Sequence, residues 1–497
     1  MGVAFVSTVF LLGLEGVKTV VEVDVRRGMP SFKVVGLPSS VVEESRERVL
    51  SAVKNIGVDI GARKVVINLS PAEVPKKGSH ADLPIAIALL KAMNVIQDDF
   101  SGALILGELS LNGRVRMSSS MFALIAQGIS LGYKQFIIPD EASYLINVFS
   151  NVAYIPVSNL SEFLSGNLSW QQTEGFIRVK TQNIVKDFGD IKGQYMAKYG
   201  AMLAAAGIHN MVMVGSPGVG KTMIAERMTG ILPSMTEDEI IEVTKIYSAT
   251  LGKETLVTDR PFRSPHSNTS VSAMFGGGRY VQPGEATLAH RGVLFVDEFP
   301  EFRRDVLEGL RTVVETRQVF LSKADIKVNF PADFLLVMAS NPCPCGYLGH
   351  PHKQCRCSVS DIKRYQRKFS GPLMQRIDIQ MWMTPPENMT RDELTTEYMR
   401  EKVIIARNMQ MKRYKGRYFN GTAPDNVFLQ HVNMSTGASS AIEDIRIMGK
   451  DSGRELSKIK RLARTIADIN EEDYVSEEHI WMALSFRKAM DMLVRFW

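Results

Sequence analysis

Among the 497 residues no stretch approaches the run of about 18 apolar side chains that a bilayer-spanning helix requires, so no membrane association is expected. The apolar start, Val3 to Leu14, lacks a basic leader and a small-residue cleavage site. It runs into Glu15 and the alternating pattern of Thr19 to Val25, which predicts strand and a cytoplasmic protein. There is no repeat of fixed period and no low-complexity tract, which sets aside solenoids and biased tails. Neither sign of charge dominates: 59 Lys and Arg stand against 53 Asp and Glu, and a net +6 on so long a chain is a weak sign of polyanion binding. Cysteine is scarce, with four in all, yet these four sit in one short loop as Cys343-Pro-Cys345 and Cys355-Arg-Cys357.

What is present is ordinary globular material, 45% hydrophobic and 23% charged, in a chain too long for one core. In the N-terminal third, β-like runs (Lys64 to Leu69, Ala103 to Leu106, Gln135 to Ile138) alternate with helical patterns (Val41 to Ile56, Leu83 to Met93), which predicts an α/β domain over 1–170. Polar, aperiodic sequence follows and is read as a linker over 171–184. Strands ending in glycine or acid and followed by helices occupy 185–385, as in a parallel nucleotide-binding sheet. From 386 to 497 the pattern is helical.

The chemistry is densest in the middle segment. The apolar run Met211 to Val214 opens into Gly215-Ser216-Pro217-Gly218-Val219-Gly220-Lys221-Thr222 and then a helical stretch, the strand, loop and helix that a P-loop needs. Glycines let backbone N–H groups wrap a β-phosphate at a helix N-terminus, Lys221 neutralises β/γ oxygens, and Thr222 ligates Mg²⁺. Downstream, Gly292 to Val296 delivers Asp297 and Glu298 at the end of a buried strand, where open α/β sheets place ligands. Asp297 suits the magnesium shell and Glu298 the polarisation of the attacking water. A third strand, Phe334 to Ala339, ends at Ser340-Asn341, where an amide can orient that water or touch the γ-phosphate.

Together with Asp187-Phe-Gly-Asp-Ile191-Lys-Gly-Gln194 and Ala463-Arg-Thr-Ile-Ala-Asp468, these motifs resemble the ComM/YifB family of magnesium-chelatase-like AAA+ ATPases over essentially the whole chain. The resemblance implies a multidomain α/β protein with a Lon-protease-like N-terminal domain, an AAA+ αβα sandwich and a helical lid. It makes Asn341 the sensor 1 residue, Arg376 of Gly371-Pro-Leu-Met-Gln-Arg376 an arginine finger acting on a neighbour, and Arg454 the sensor 2 arginine. Ile191 joins the ATP-binding set. A trans-acting arginine implies a ring, of six by analogy.

Related rings carry a hairpin before sensor 1. Here Arg317 to Asn329 alternates like two strands around a turn, with Lys323 at the tip as the expected DNA contact. A second insert, Ser270 to Pro283, holds Gly276-Gly-Gly278, Arg279 and Tyr280 and is expected to be a flexible pore loop. In the Lon-like segment, the position of the catalytic serine aligns with His80 and that of the lysine with Phe122, so an active protease is not expected.

Four thiolates in paired C-x-C form can close a tetrahedral zinc site, and His350 and His352 between the pairs are alternative ligands. Such a zinc, beside Lys363, Arg364, Arg367 and Lys368, suggests a nucleic-acid or subunit contact. The basic run Lys402, Arg407, Lys412, Arg413, Lys415 and Arg417 reads equally as a phosphate-contacting surface or a solvated helix face. The expected function is an ATP-driven motor on single-stranded and branched DNA, with recombination proteins as further partners. A metal-insertion ATPase and a protein remodeller stand as alternatives.

Overall fold

In the N-terminal unit two long strands, Val3–Leu12 and Glu15–Arg27, form a hairpin in register from Val3↔Asp24 to Leu12↔Glu15. Along the second strand Thr19, Val21, Val23 and Val25 are buried while their neighbours are partly exposed, the period of two that the sequence shows. This hairpin is the centre of an eight-stranded mixed sheet. Its order is Gln171–Gln172, Ala153–Val157, Gln135–Pro139, Leu104–Ile105, Val3–Leu12, Glu15–Arg27, Arg63–Ser70, Ser31–Val35. Residues 171 and 172, which the sequence places in a linker, add an antiparallel edge strand to this sheet.

This computed structural model describes residues 2–175, 186–278, 281–323, 326–369, 373–386, 393–448 and 452–487, the side chains of Lys323 and Ile326 excepted. Each face of the N-terminal sheet is covered. Phe10 packs with the apolar helix Asp82–Ala92, and Val9, pointing the other way, packs with the helix Met121–Ser130.

The middle unit is a five-stranded parallel sheet in the order Phe262–Arg263, Val293–Val296, Leu335–Ser340, Met211–Gly215, Ile379–Met383. Its inner strands are buried on both sides, as parallel sheets require, so they read as continuous apolar runs. Met211 and Met213 face a cluster with the helices Tyr195–Gly207 and Lys221–Ile231. Val212 and Val214 face one with Glu237–Leu251 and Arg304–Thr316. The resulting three layers, with a parallel sheet between helices, fit an AAA+-like fold.

Among the described residues five helices follow, Thr396–Arg413, Asp425–His431, Thr436–Ile447, Gly453–Ile469 and Glu477–Ser485; all but Asp425–His431, whose Phe428 packs with Tyr414 and Ala423, share a cluster with Tyr195–Gly207. Of the six residues in the basic run that begins in the first of these, three are held by partners within the protein. Arg407 is buried and donates through Nε and Nη2 to the Ala205 carbonyl, at 3.0 and 2.7 Å, where the carbonyl end of a helix attracts a cation. Arg413 pairs with buried Asp468, and Lys402 with Glu471 at 3.1 Å. Lys412, Lys415 and Arg417 are the exposed members. Among the described residues no helix is long and apolar enough to cross a membrane.

The two α/β units share one apolar cluster, in which the helices Met121–Ser130 and Glu237–Leu251 meet, and a carboxylate adds a polar tie. Glu254, just past the helix Glu237–Leu251, accepts the backbone N–H groups of Ser120 and Phe122, at 2.7 and 2.9 Å, at the start of the Met121–Ser130 helix. The residue preceding that helix, Ser120, provides no side-chain cap, so Glu254 supplies from another unit what a local cap normally does. The Ser248 hydroxyl donates to the same carboxylate at 3.0 Å, which holds it in place. Glu254→Ala leaves two helix N–H groups without their acceptor and is expected to cost about 1–3 kcal/mol. Thermal unfolding checks the loss, and limited proteolysis is expected to cut between the units faster in the variant.

Candidate nucleotide site

The strand Met211–Gly215 ends in a loop whose Gly218 and Gly220 have φ of +83° and +100°, a left-handed geometry that glycine takes without strain. The loop turns directly into the helix Lys221–Ile231, so free N–H groups gather where it begins. Lys221 lies at the floor, with Nζ donating to the carbonyls of Gly215 and Ser216 at 2.5 and 3.0 Å and to Asn341 Oδ1 at 3.2 Å. The Thr222 hydroxyl donates to Asp297 Oδ2 at 3.3 Å, and Asp297 Oδ1 accepts the Glu298 N–H at 2.8 Å. Glu298 itself has a φ of +48°, unusual for a residue with a side chain and common where backbone is held for a purpose.

Lys221, Thr222, Asp297, Glu298, Ser340 and Asn341 thus line one pocket of about 350 Å³, together with Pro217, Gly218, Gly220 and Met223. Gly215 and Ser216 meet Lys221 through their carbonyls and do not themselves line the pocket. Val219 and Ile191 are buried in the apolar cluster beneath and do not line this pocket. Thr222 and Asp297 offer two oxygens of the kind magnesium takes, next to where a nucleotide's terminal phosphates would lie against the loop. Burial pushes the Lys221 ammonium down to about 8, against the opposing pull of Asp297 and Glu298.

Arg376 and Arg454 are elsewhere. They share a second pocket of about 360 Å³ with Arg317, Lys458 and Arg461. Arg376 donates through Nε to Glu315 at 2.6 Å, and exposed Arg454 reaches Gln375 Oε1 at 3.4 Å. The segment behind them is fixed by Asp378, which is buried between Lys458 Nζ at 3.2 Å and His209 Nδ1 at 3.4 Å. Burial opposes the charge of Asp378, but Lys458, His209 and Arg487 outweigh it and hold the carboxyl well below its usual range. Arg454, Lys458 and Arg461 share one helix face by their spacing. Glu315 has no comparable signal, because its role comes from a tertiary contact.

The four cysteines converge: their Sγ atoms all lie within 4.8 Å of one another. Three of the separations are 3.4, 3.6 and 3.7 Å. Sulfurs at the corners of a tetrahedron with arms of about 2.3 Å stand about 3.8 Å apart, so the set fits a structural zinc ion. Burial works against a charged Cys345, but backbone N–H groups of Tyr347 and Arg356 outweigh it and favour its thiolate, whereas burial pushes the Cys343 and Cys357 thiols up in the absence of a metal. His350 is turned to the backbone N–H groups of His352 and Lys353 and is not part of the cluster.

The hairpin before Asn341 is present as Gln318–Lys323 and Ile326–Pro331, with Lys323↔Ile326 as its last pair. The tip, 324–325, and the Lys323 side chain lie outside the described residues. In the second insert, expected to be a flexible loop, the described part is ordered as the helix Val271–Phe275 and the pair Gly276–Gly277 with Gln282–Pro283. Arg279 and Tyr280 fall outside the described residues, as do Gly371 and Pro372. In the N-terminal unit His80 is fully buried, its Nε2 2.9 Å from the Val9 carbonyl, and burial lowers its pKa to about 4. Phe122 is buried, and the Ser79 hydroxyl donates to Glu108.

Comparison with known proteins agrees with this geometry. Residues 187–391, which contain the whole P-loop site, match the family described as magnesium chelatase, subunit ChlI. Residues 21–142 match subunit ChlI of Mg-chelatase, and 393–487 its C-terminal part. YifB of Escherichia coli (strain K12) is 34% identical over 507 residues, covering 99% of this chain and 98% of that protein. Competence protein ComM of Haemophilus influenzae is 33% identical over 514 residues, covering 99% of each. The chain belongs to the ComM/YifB magnesium-chelatase-like family. A more distant likeness, 26% over 285 residues and 55% of this chain, is to the DNA replication licensing factor MCM3 of Oryza sativa subsp. indica, of which it covers 33%. Membership in a magnesium-chelatase-like family implies use of ATP and Mg²⁺, which the pocket chemistry suits.

An anion that pairs with Lys221 selects its protonated form. ADP affinity is therefore expected to stay level below about pH 8 and to fall by up to about tenfold per pH unit above it. Titration with a fluorescent ADP analogue checks this. In Lys221→Arg, whose guanidinium keeps its proton, any remaining affinity is expected to lack the alkaline decline.

Proposed function

We propose that the chain is an ATPase that works as a hexameric ring, moving along single-stranded and branched DNA to promote branch migration and integration during natural transformation and recombination. The observation that carries this reading is the division of its catalytic groups. Lys221, Glu298 and Asn341 gather around one pocket, whereas Arg376 and Arg454 gather around another. A subunit so built is complete only when a neighbour's arginine pocket meets its phosphate pocket. The competence relative supports the choice of DNA as the track.

In this reading the loop from Gly215 to Thr222 wraps the phosphates and Lys221 compensates charge between β- and γ-oxygens. Thr222 and Asp297 hold Mg²⁺, which when bound neutralises developing charge on the phosphoryl oxygens. Glu298 polarises the attacking water and Asn341 orients it. Arg376 and Arg454 of the adjoining subunit stabilise the transition state, after Arg376 is released from Glu315. Lys323 on the hairpin grips backbone phosphates irrespective of base sequence, as a translocating motor needs. The four cysteines hold structural zinc. The N-terminal unit, in which buried His80 and Phe122 stand where a serine nucleophile and its lysine base would be needed, is a binding domain and not a protease.

Lys221→Ala is expected to abolish nucleotide binding or turnover, whereas Glu298→Gln is expected to retain ATP and to lower kcat by about a hundredfold or more. Inactive Lys221→Ala and inactive Arg376→Ala proteins, mixed in equal amounts and reassembled, are expected to regain activity at about a quarter of their interfaces. No recovery in assembled rings contradicts the shared site. Lys323→Ala is expected to keep the basal ATPase rate and lose its stimulation by single-stranded and branched DNA. Wild-type rings that DNA does not stimulate direct the reading to a protein-remodelling or magnesium-chelatase-like ATPase.

A further inference from the structure

The cysteine loop is not a peripheral knob. Only Pro342 separates Asn341 from the first ligand candidate, Cys343, and the turn Cys343 to Gly346 is closed by the Gly346 N–H on the Cys343 carbonyl at 2.9 Å. Gly346 has a φ of +82°. A Cβ built there would come within 2.7 Å of the Pro217 ring and 3.7 Å of Asn341 Cγ. The approach to Pro217 and the positive φ favour glycine, and the ordinary contact with Asn341 puts the metal-ligand turn in the corner between the P-loop and the asparagine that accepts from Lys221.

The far side of the loop is tied to the same strand end. Cys343, Leu348 and Ile362 form a small buried cluster against the other three cysteines, which joins the loop to the helix Val359–Gln366. From that helix the Tyr365 hydroxyl lies 3.1 Å from Ser340 Oγ, and Gln366 Nε2 donates to the Pro342 carbonyl at 3.4 Å. Lys368 donates to the Pro300 carbonyl at 2.7 Å, two residues beyond Glu298. Apolar contact among three side chains is too little to hold a loop of fifteen residues, Cys343 to Cys357, in one shape. A metal ion bonded to four of them is enough.

We propose that zinc in the Cys343, Cys345, Cys355 and Cys357 cluster acts as a clamp on the nucleotide site, setting the position of Asn341 and Pro217 for ATP hydrolysis. This rests on the ATPase and zinc readings above and departs from the expectation of a nucleic-acid or subunit contact. The cysteines and Gly346 are positioning residues: they touch no phosphate, and they act through Asn341 and the P-loop. The P-loop's own strand and helix remain without the metal, so binding and turnover separate.

The test compares as-purified full-length protein with the same protein after zinc is withdrawn by chelation and after zinc is restored. Zinc content, assembly, thermal unfolding, ADP-analogue affinity and ATP turnover are read on each. One zinc per chain is expected. On its removal kcat is expected to fall by about tenfold or more while nucleotide Kd changes less than about threefold, with recovery on zinc addition. Gly346→Ala, which keeps all four thiols, is expected to retain zinc and reproduce the kcat loss. Asn341→Ala is expected to cost less in the zinc-free protein than in the loaded one, because the clamp acts through that side chain. A role in stability alone predicts equal costs in both. Zinc absent from the protein removes the reading on which the inference stands. Zinc present but withdrawn without effect on kcat, or equal costs for Asn341→Ala in both states, overturns the inference and leaves the zinc reading intact.

Discussion

One buried ammonium organises the centre of this molecule. Lys221 lies where three strands of the parallel sheet end, and its three hydrogen bonds run to the loop that it belongs to and to the strand beside it. A buried cation needs acceptors, and here they are two main-chain carbonyls and one amide oxygen, not a full carboxylate partner. The consequence is a positive charge only partly compensated by the protein, at the mouth of a loop that offers N–H groups. Sheet order, helix start and the Asp297–Glu298 turn all serve to place acceptors and acids around that charge without quenching it.

The rest of the middle unit divides the work in space. Groups suited to phosphate and metal lie at one set of strand ends, and the arginines lie in a separate pocket anchored by Asp378, Lys458 and His209. That anchor is a buried ion network, costly to assemble and damaging to break on one side, so it suits a part whose position matters more than its contribution to stability. The pairing of Arg376 with Glu315 means that the arginine is already partly neutralised in the single chain, and any other anion must compete for it.

Much of this was legible in the sequence, for identifiable reasons. The strands ending at Gly215, Asp297 and Asn341 announce themselves because a parallel sheet buries them on both faces and because ligand chemistry concentrates at their ends. The helix from Gly453 is legible because its apolar face recurs with helical period and leaves Arg454, Lys458 and Arg461 together on another. Other features were not, because they depend on residues distant in sequence. The run from Lys402 to Arg417 looks like one surface, yet Arg407 is buried under a helix end and Arg413 under Asp468. Polar composition hid the edge strand at Gln171–Gln172, whose pairing is with main chain. Nothing local marks Glu315, Glu254 or Gly346, each of which matters through a contact with another element.

The carboxylate of Glu254 has a mechanical consequence. It belongs to the nucleotide-binding unit, immediately beyond the helix Glu237–Leu251, but it terminates a helix of the N-terminal unit, and Ser248 of the former helix holds it there. Two bodies joined in this way share a lever arm. A rotation of the Glu237–Leu251 helix carries the N-terminal sheet with it, without the slack of a flexible tether. A small rotation at this helix thus becomes a larger displacement at the far strands of the N-terminal sheet.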